Sequence, residues 1–248
     1  MLRDDHDGTG GAMTEDSERR PDSTRQRLIA AAARQFAHRL YSAVSLDDIL
    51  DEAQLTKGAM YFHFSSKQAL AVKIIDDLAE MTRSAVIELL GRNMSGLETL
   101  IEYIFVRAVQ DIQYDVARAG VRLLDALENV SPLPRTLWQA RSEFVTTLIQ
   151  KAAAEGDVTD QQDPADIAKM LVALWEGVRR ISNLDQPEDY LDNFNKAWAL
   201  ALPSFTNPDR LDYFITFMRR RHAIAVKAVS ADALTSELDV IASAHTEA

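Results

Sequence analysis

Residues 53–64 read AQLTKGAMYFHF, a Thr-Lys-Gly step and a methionine followed by Tyr61, Phe62, His63 and Phe64 in unbroken succession. Aromatic residues make up only 7% of the chain, so the row is a local concentration. A buried helix repeats its apolar residues at spacings of three and four, whereas four successive rings point around most of a helix. Met60 and Phe64, four apart, share an inward face, which turns Tyr61, Phe62 and His63 outward. Thr56 supplies an N-cap for this short helix. Some of its rings therefore face something other than the core.

Working outward, Ser45 is an N-cap for a short preceding helix, with Asp48 at the capping-box position and Leu46, Ile49, Leu50 and Ala53 turned inward. Two short helices joined by a tight turn have the form of a helix-turn-helix. A first helix over Thr24 to His38 places Leu28, Ala32 and Phe36 on one face. Ser65 with Gln68 reads as a second capping box, opening a fourth helix toward Leu90. In such a module a tyrosine hydroxyl and an imidazole donate to phosphate oxygens, Lys57 reaches base edges or phosphates, and Gly58 and Ala59 are small enough for the backbone to approach a groove floor.

The charge distribution agrees with this reading. The chain carries 27 basic and 38 acidic side chains, net −11, which as an average argues against a polyanionic partner. Residues 24–73 nevertheless hold seven basic and four acidic side chains, leaving 20 and 34 for the remainder. That asymmetry describes a small module for a polyanion attached to an acidic body.

The rest of the chain shows no sustained alternation of strand type and repeated helix punctuation, so the fold class is all-α. Ser95 with Glu98 opens a helix to about Asp111, Asp115 opens another to about Glu128, and SPLP at 131–134 ends that stretch. A helix from Arg135 to Ala154 follows, and Asp163-Pro164, Gln186-Pro187 and Asn207-Pro208 open three more. The last of these is expected to stop near Lys227, after the basic run Arg219 to His222, whose cations complement a helix C-terminus. Leu234, Leu238 and Ile241 suit one further short helix. Residues 1–23, rich in Gly, Asp, Ser and Arg, read as a disordered arm. The expected organisation is therefore an arm at 1–23, a helix-turn-helix domain at 24–73, a helical ligand-binding and dimerisation domain at 74–229 and a tail at 230–248.

Several function classes have no residues behind them. The chain has no cysteine, which removes disulfides, thiolate metal sites and a cysteine nucleophile. The histidines lack metal-ligand spacing, and Asp47, Asp48, Asp51 and Glu52 read as a solvated helix face, so no metal, cofactor or catalytic residue is expected. No GxSxG elbow or phosphate loop occurs. No apolar run is long enough to span a bilayer, and a cytoplasmic protein with no membrane partner fits best.

The stretch Ser45-Leu46-Asp47-Asp48-Ile49, then Thr56 to Phe64, then Lys67 and Leu70, resembles the DNA-binding domain of TetR-family transcription regulators. The resemblance implies that Lys57, Gly58 and Tyr61 meet bases, that Ser45, Tyr61, His63 and Lys67 hold phosphates, and that double-stranded operator DNA is the partner. Gln54 departs from the pattern, since the family usually has glycine in the turn; in a left-handed conformation a non-glycine residue costs on the order of 1 kcal/mol. KGAMYFHF together with RAGVRL at 118–123 and PLP at 132–134 is similar to the γ-butyrolactone receptor branch of that family, in which a cavity tryptophan follows the proline loop, near Trp138 here.

The resemblance also implies a homodimer joined by late helices, 163–183 together with 187–202 or 208–227. Ile167, Leu171, Leu174, Val178 and Ile181 form an apolar stripe on the first of these that supports such a contact. For a small-molecule effector, Tyr103, Phe105, Phe144 and Trp138 supply an apolar lining with Gln110 and Arg122 as polar anchors, and Trp175 is the next candidate. The rival reading is a helical carrier or scaffold whose DNA-binding motif is vestigial.

Overall fold

The computed structural model describes residues 15–246 of the chain and the side chains of residues 23–230. Helix α1 (Glu15–His38) is followed by a 3-10 turn at Tyr41–Ala43, and then by α2 (Leu46–Ala53) and α3 (Lys57–His63). Seven further helices, with a second 3-10 turn at Leu202–Ser204, complete the described residues: α4 (Lys67–Leu90), α5 (Gly96–Gln113), α6 (Asp115–Ala126), α7 (Leu133–Ala154), α8 (Pro164–Ile181), α9 (Pro187–Ala201) and α10 (Pro208–Thr246). No strand occurs among them; one isolated bridge, Val158 with Thr206, ties the loop before α8 to the loop before α10.

Local chemistry sets most of these boundaries. The Ser45 hydroxyl accepts from the Asp48 amide at 3.0 Å while the Asp48 carboxylate accepts from the Ser45 amide at 2.7 Å, the reciprocal cap expected for α2. Those bonds also hold the Asp48 carboxyl below its ordinary pKa. Ser95 and Glu98 repeat the motif at α5. Prolines stand in the first turns of α8 and α9, where their missing N–H has no helical partner to lose.

The same rule overturns the reading of SPLP: its second proline lies in the first turn of α7, so the segment starts a helix at Leu133 rather than only ending one. Ser66, not Ser65, caps α4, its hydroxyl accepting from the Ala69 amide at 3.0 Å. The backbone of α1 begins at Glu15, ahead of Thr24; the part of the expected disordered arm at residues 1–14 lies outside the described residues. Helix α10 runs on to Thr246 instead of stopping near Lys227, and the side chains of Leu234, Leu238 and Ile241 lie outside the described residues. The basic run at 219–222 is therefore mid-helix and does not serve as a C-terminal complement to the dipole. Arg221 pairs instead with the buried Glu102 of α5, and His222 lies 2.9 Å from Asp192 of α9.

Two apolar clusters fill the molecule. The first joins Leu28, Phe36, Ile49, Met60, Leu70 and Leu78 of the N-terminal helices with Ala117, Val121 and Leu124 of α6. The second gathers α5, α7, α8, α9 and α10 around Tyr103, Trp175, Phe194 and Trp198. Trp175 and Trp198 are both buried in this second cluster.

Helix α5 begins hard against α7. A Cβ placed on Gly96 would overlap the Leu148 carbonyl and lie 2.5 Å from the Ala152 nitrogen, so the obstacle is backbone and cannot rotate away. Gly96→Ala is expected to force the two helices apart and to destabilise the fold by about 3 kcal/mol or more, read from the midpoint of urea unfolding. A midpoint unmoved from wild type would show that the close approach is not needed.

Candidate nucleic-acid interface and effector cavity

The reading head is assembled from the inside out. Met60 of α3 and Phe64 just after it are buried in the apolar cluster of the N-terminal helices, while Tyr61 is 58% and Phe62 79% exposed. The Phe62 and His63 rings stand edge to face at 5.0 Å. Ser45, Thr56, Lys57 and Gly58 are also exposed, with Ala59 and His63 half-buried, so seven of the eight residues expected to meet DNA belong to one accessible surface around α3 and the start of α2. The Thr56 hydroxyl accepts from the Ala59 amide at 3.3 Å, fixing the start of α3.

Gln54 adopts the left-handed conformation, with φ 52°. The strain is held by α1: the Arg27 guanidinium donates to the carbonyls of Ala53 at 2.8 Å and Gln54 at 3.4 Å, satisfying acceptors at the end of α2. A cation from the first helix thus locks a turn that lacks the usual glycine. Sequence reasoning missed this role, because nothing in the spacing of Arg27 points to residues twenty-six positions on.

The eighth residue, Lys67, is placed differently. Its ammonium donates to the carbonyls of Tyr41 at 2.9 Å and Val44 at 2.7 Å and lies 4.3 Å from the Tyr41 ring centre. Burial depresses its pKa. Two of its three donors are occupied within the fold, so it staples the start of α4 to the turn before α2. Lys57 is open by contrast, but its ammonium rests 2.8 Å from the Asp47 carboxylate, and that hydrogen bond raises its pKa. The Asp47 carboxylate thus occupies the one ammonium on the exposed face of α3.

The residues expected to line one effector cavity are not brought to one place. A cavity of about 280 Å³ between α4, α5, α6 and α7 takes Tyr103 and Phe144, whose rings meet edge to face at 5.0 Å, together with Leu78, Thr82, Leu137 and Arg141. Trp175 stands behind Tyr103 at 5.4 Å. Trp138 packs against the N-terminal cluster. The Arg141 guanidinium lies over both indoles, 4.8 Å from Trp138 and 5.1 Å from Trp175, and pairs with Glu176. Phe105 faces His222 on the opposite side of α5. Gln110 is engaged by the buried Arg107 at 2.6 Å, and Arg122 lines a separate cleft. Arg83 and Arg141, the charged groups that line the cavity, were missed, although Leu137, Arg141 and Phe144 share one face of α7 by spacing alone.

The apolar stripe expected to join two subunits is mostly internal. Ile167, Leu171 and Val178 are buried and Leu174 is half-buried, all within the second cluster; Ile181 alone is exposed, at 83%. The stripe is wide because α8 packs on α7 along one side and on α9 along the other.

The sequence pattern of the bacterial regulatory proteins of the tetR family matches residues 28–74. Over 185 residues the chain is 32% identical to the A-factor receptor protein of Streptomyces griseus, an alignment that takes in 73% of this chain but 63%, less than two thirds, of that receptor. A crystal structure of a gamma-butyrolactone receptor (ArpA-like protein) superposes with a TM-score of 0.70 at 30% identity, covering 82% of this chain and 98% of the receptor. CprB of Streptomyces coelicolor, solved in complex with its biological operator sequence, superposes with a TM-score of 0.73 at 29% identity and the same coverage. The chain belongs to the TetR family of transcription regulators and, within it, to the butyrolactone-receptor type. Its homologues are regulators rather than enzymes, and no helix among the described residues is long and apolar enough to cross a membrane.

Two outcomes test these placements. Asp47→Asn is expected to strengthen binding to duplex DNA of any sequence severalfold at low salt, because it frees Lys57 and removes a carboxylate from the approach surface; fluorescence anisotropy reads this directly. Lys67→Met is expected to lower the stability of the protein by about 1–2 kcal/mol, since two carbonyls lose their donor. A lysine used only for phosphate would weaken DNA binding and leave the unfolding midpoint in place.

Proposed function

We propose that this chain is a ligand-responsive repressor that binds a pseudo-palindromic operator as a homodimer. On this reading it leaves the DNA when a small, mainly apolar signal of γ-butyrolactone type enters the cavity between α4, α5, α6 and α7. The observation that carries the reading is the double use of α4. Leu70, Ile74 and Leu78 belong to the core of the reading head, and Leu78, Ala79, Thr82 and Val86 line the cavity. Helix α6 is used in the same way, with Leu124 in both sets.

A ligand that needs more room than the cavity offers must move Leu78 or Leu124, and with them the floor of the head. Such a ligand binds better to the displaced arrangement than to the one that fits DNA, and that difference in affinity is the coupling free energy. The lining suits a molecule with a hydrocarbon portion and one or two acceptors. Tyr103, Phe144, Leu78 and Leu137 offer apolar surface, and Arg83 and Arg141 are the donors, the Thr82 hydroxyl already donating to the Leu78 carbonyl at 2.8 Å. A lactone carbonyl is such an acceptor.

Base contacts fall to Lys57, Gly58 and Tyr61, with Ser45, Thr56, Ala59 and His63 as neighbours on the same surface. Lys67 supports them through the turn it fixes. For the second subunit, the exposed row Met170, Ala173, Gly177 and Ile181 on α8 replaces the buried stripe: a Cβ at Gly177 would meet nothing within 4 Å, so a partner helix has room to approach closely.

The test is an anisotropy titration of the protein on DNA from its own upstream region, followed by addition of a γ-butyrolactone. Sequence-selective binding with a two-fold symmetric footprint is expected, and the lactone should release the complex. Equal binding to operator and competitor DNA would favour the carrier reading. Ala140→Phe, which fills the cavity from α7, is expected to abolish release while leaving operator affinity and melting temperature unchanged; release that persists would place the effector elsewhere.

A further inference from the structure

A second and larger cleft, of about 570 Å³, lies where the end of α1 meets α6 and the loop from α8 to α9. It shares no lining residue with the effector cavity. Four arginines converge on it: Arg118 and Arg122, one turn apart on α6, and Arg179 and Arg180 at the end of α8. In a chain of net charge −11, such a gathering of like charge is unfavourable unless an anion offsets it.

The counter-charges already present are weak holders. Asp185 pairs with Arg118 at 2.7 Å but is 67% exposed, and Asp125 pairs with Arg180 at 3.3 Å with both partners mostly in solvent. Exposed pairs of this kind contribute little and are readily exchanged. Arg122 has no ion pair at all among the described residues.

Two of the four arginines are already held in place. The Arg118 side chain is 12% exposed, its guanidinium held by the carbonyls of Leu184 at 3.1 Å and Asp111 at 3.4 Å. The Arg179 side chain is 11% exposed and held by Glu176 at 3.2 Å. Fixed guanidinium planes present paired donors that match phosphate and carboxylate oxygens. Leu40, Ala126 and Leu184 supply an apolar side to the same space, and its size is that of a small-molecule site.

We propose that this cleft is a second small-molecule site, for an organic anion that carries a phosphate or paired carboxylates beside an apolar group. Because α1 and the turn at Tyr41–Ala43 lead directly to Ser45 and α2, an anion held between them, α6 and the α8–α9 loop ties the reading head to the body. That coupling rests on the repressor reading; the binding itself does not.

The full chain is titrated calorimetrically with sodium pyrophosphate against sodium chloride at matched ionic strength. Saturable binding of one pyrophosphate per chain is expected. The double variant Arg122→Gln with Arg180→Gln should weaken it about tenfold or more with the melting temperature unchanged, since both side chains are exposed. Lys57→Ala should keep it, because the DNA surface is elsewhere. Heat indistinguishable from the chloride control, binding undiminished in the double variant, or binding lost in Lys57→Ala would each overturn the site. Operator affinity measured with and without pyrophosphate then tests the coupling, expected to shift in wild type and not in the double variant; an unchanged affinity overturns the coupling alone. Absence of any sequence-selective DNA binding would count against the repressor reading and not against the cleft.

Discussion

The contact of Leu78 with Gly120 is the joint on which the rest of the molecule depends. A Cβ added at Gly120 would lie 2.8 Å from the Leu78 Cβ, so α4 and α6 meet at a separation only glycine permits. That approach buries α6 in the same apolar cluster as α1, α2, α3 and the first half of α4. The reading head is therefore not closed by its own three helices: its floor is borrowed from α6, and the second half of α4 continues into the wall of the cavity between α4, α5, α6 and α7. Close-packed interiors rearrange between discrete packings rather than yielding continuously, so a displacement of Leu78 on one side of this joint is felt on the other.

Away from the joint the body is stiffened by buried charge. Glu102 of α5 is almost wholly enclosed and meets Arg92 at 2.8 Å and Arg221 of α10. Arg107, Asp111 and Tyr190 form a second buried group, with the Tyr190 hydroxyl donating to Asp111 at 3.2 Å, and burial pushes that hydroxyl's pKa well above the ordinary value. Such groups gain little net stability, because desolvation opposes the Coulomb attraction, but breaking one leaves an uncompensated charge. They fix α5 against α9 and α10.

The head uses its cations sparingly. Arg27 and Lys67 act as backbone clamps, the first holding the strained turn at Gln54 and the second the turn before α2. Arg34 is paired with Glu52 at 2.7 Å. Lys57 remains as the open cation of the recognition helix, checked by Asp47. A local excess of basic residues thus overstates the charge available to a phosphate backbone, and the acidic body keeps non-specific attraction low.

The order of the helices, the all-α class and the outward row on α3 follow from local rules, because caps, prolines and three-four spacing act within a turn or two of chain. So does the inward pair Met60 and Phe64. What those rules could not decide was which side of a helix meets which neighbour. The stripe on α8 is core because α7 and α9 flank it. Trp138 turns to the head rather than to the cavity, and Phe105 faces α10 while Tyr103, two residues earlier, faces α7. Arg122 and Lys67 look alike in sequence as cations near the start or middle of a helix, yet one has no ion pair among the described residues and lines a cleft, and the other is spent on two carbonyls more than twenty residues away. The sequence by itself determined the order of the helices and the surface that α3 presents. The tertiary structure alone decided the cavities, since each is bounded by side chains from three or more helices and exists only once their packing has fixed the space between them.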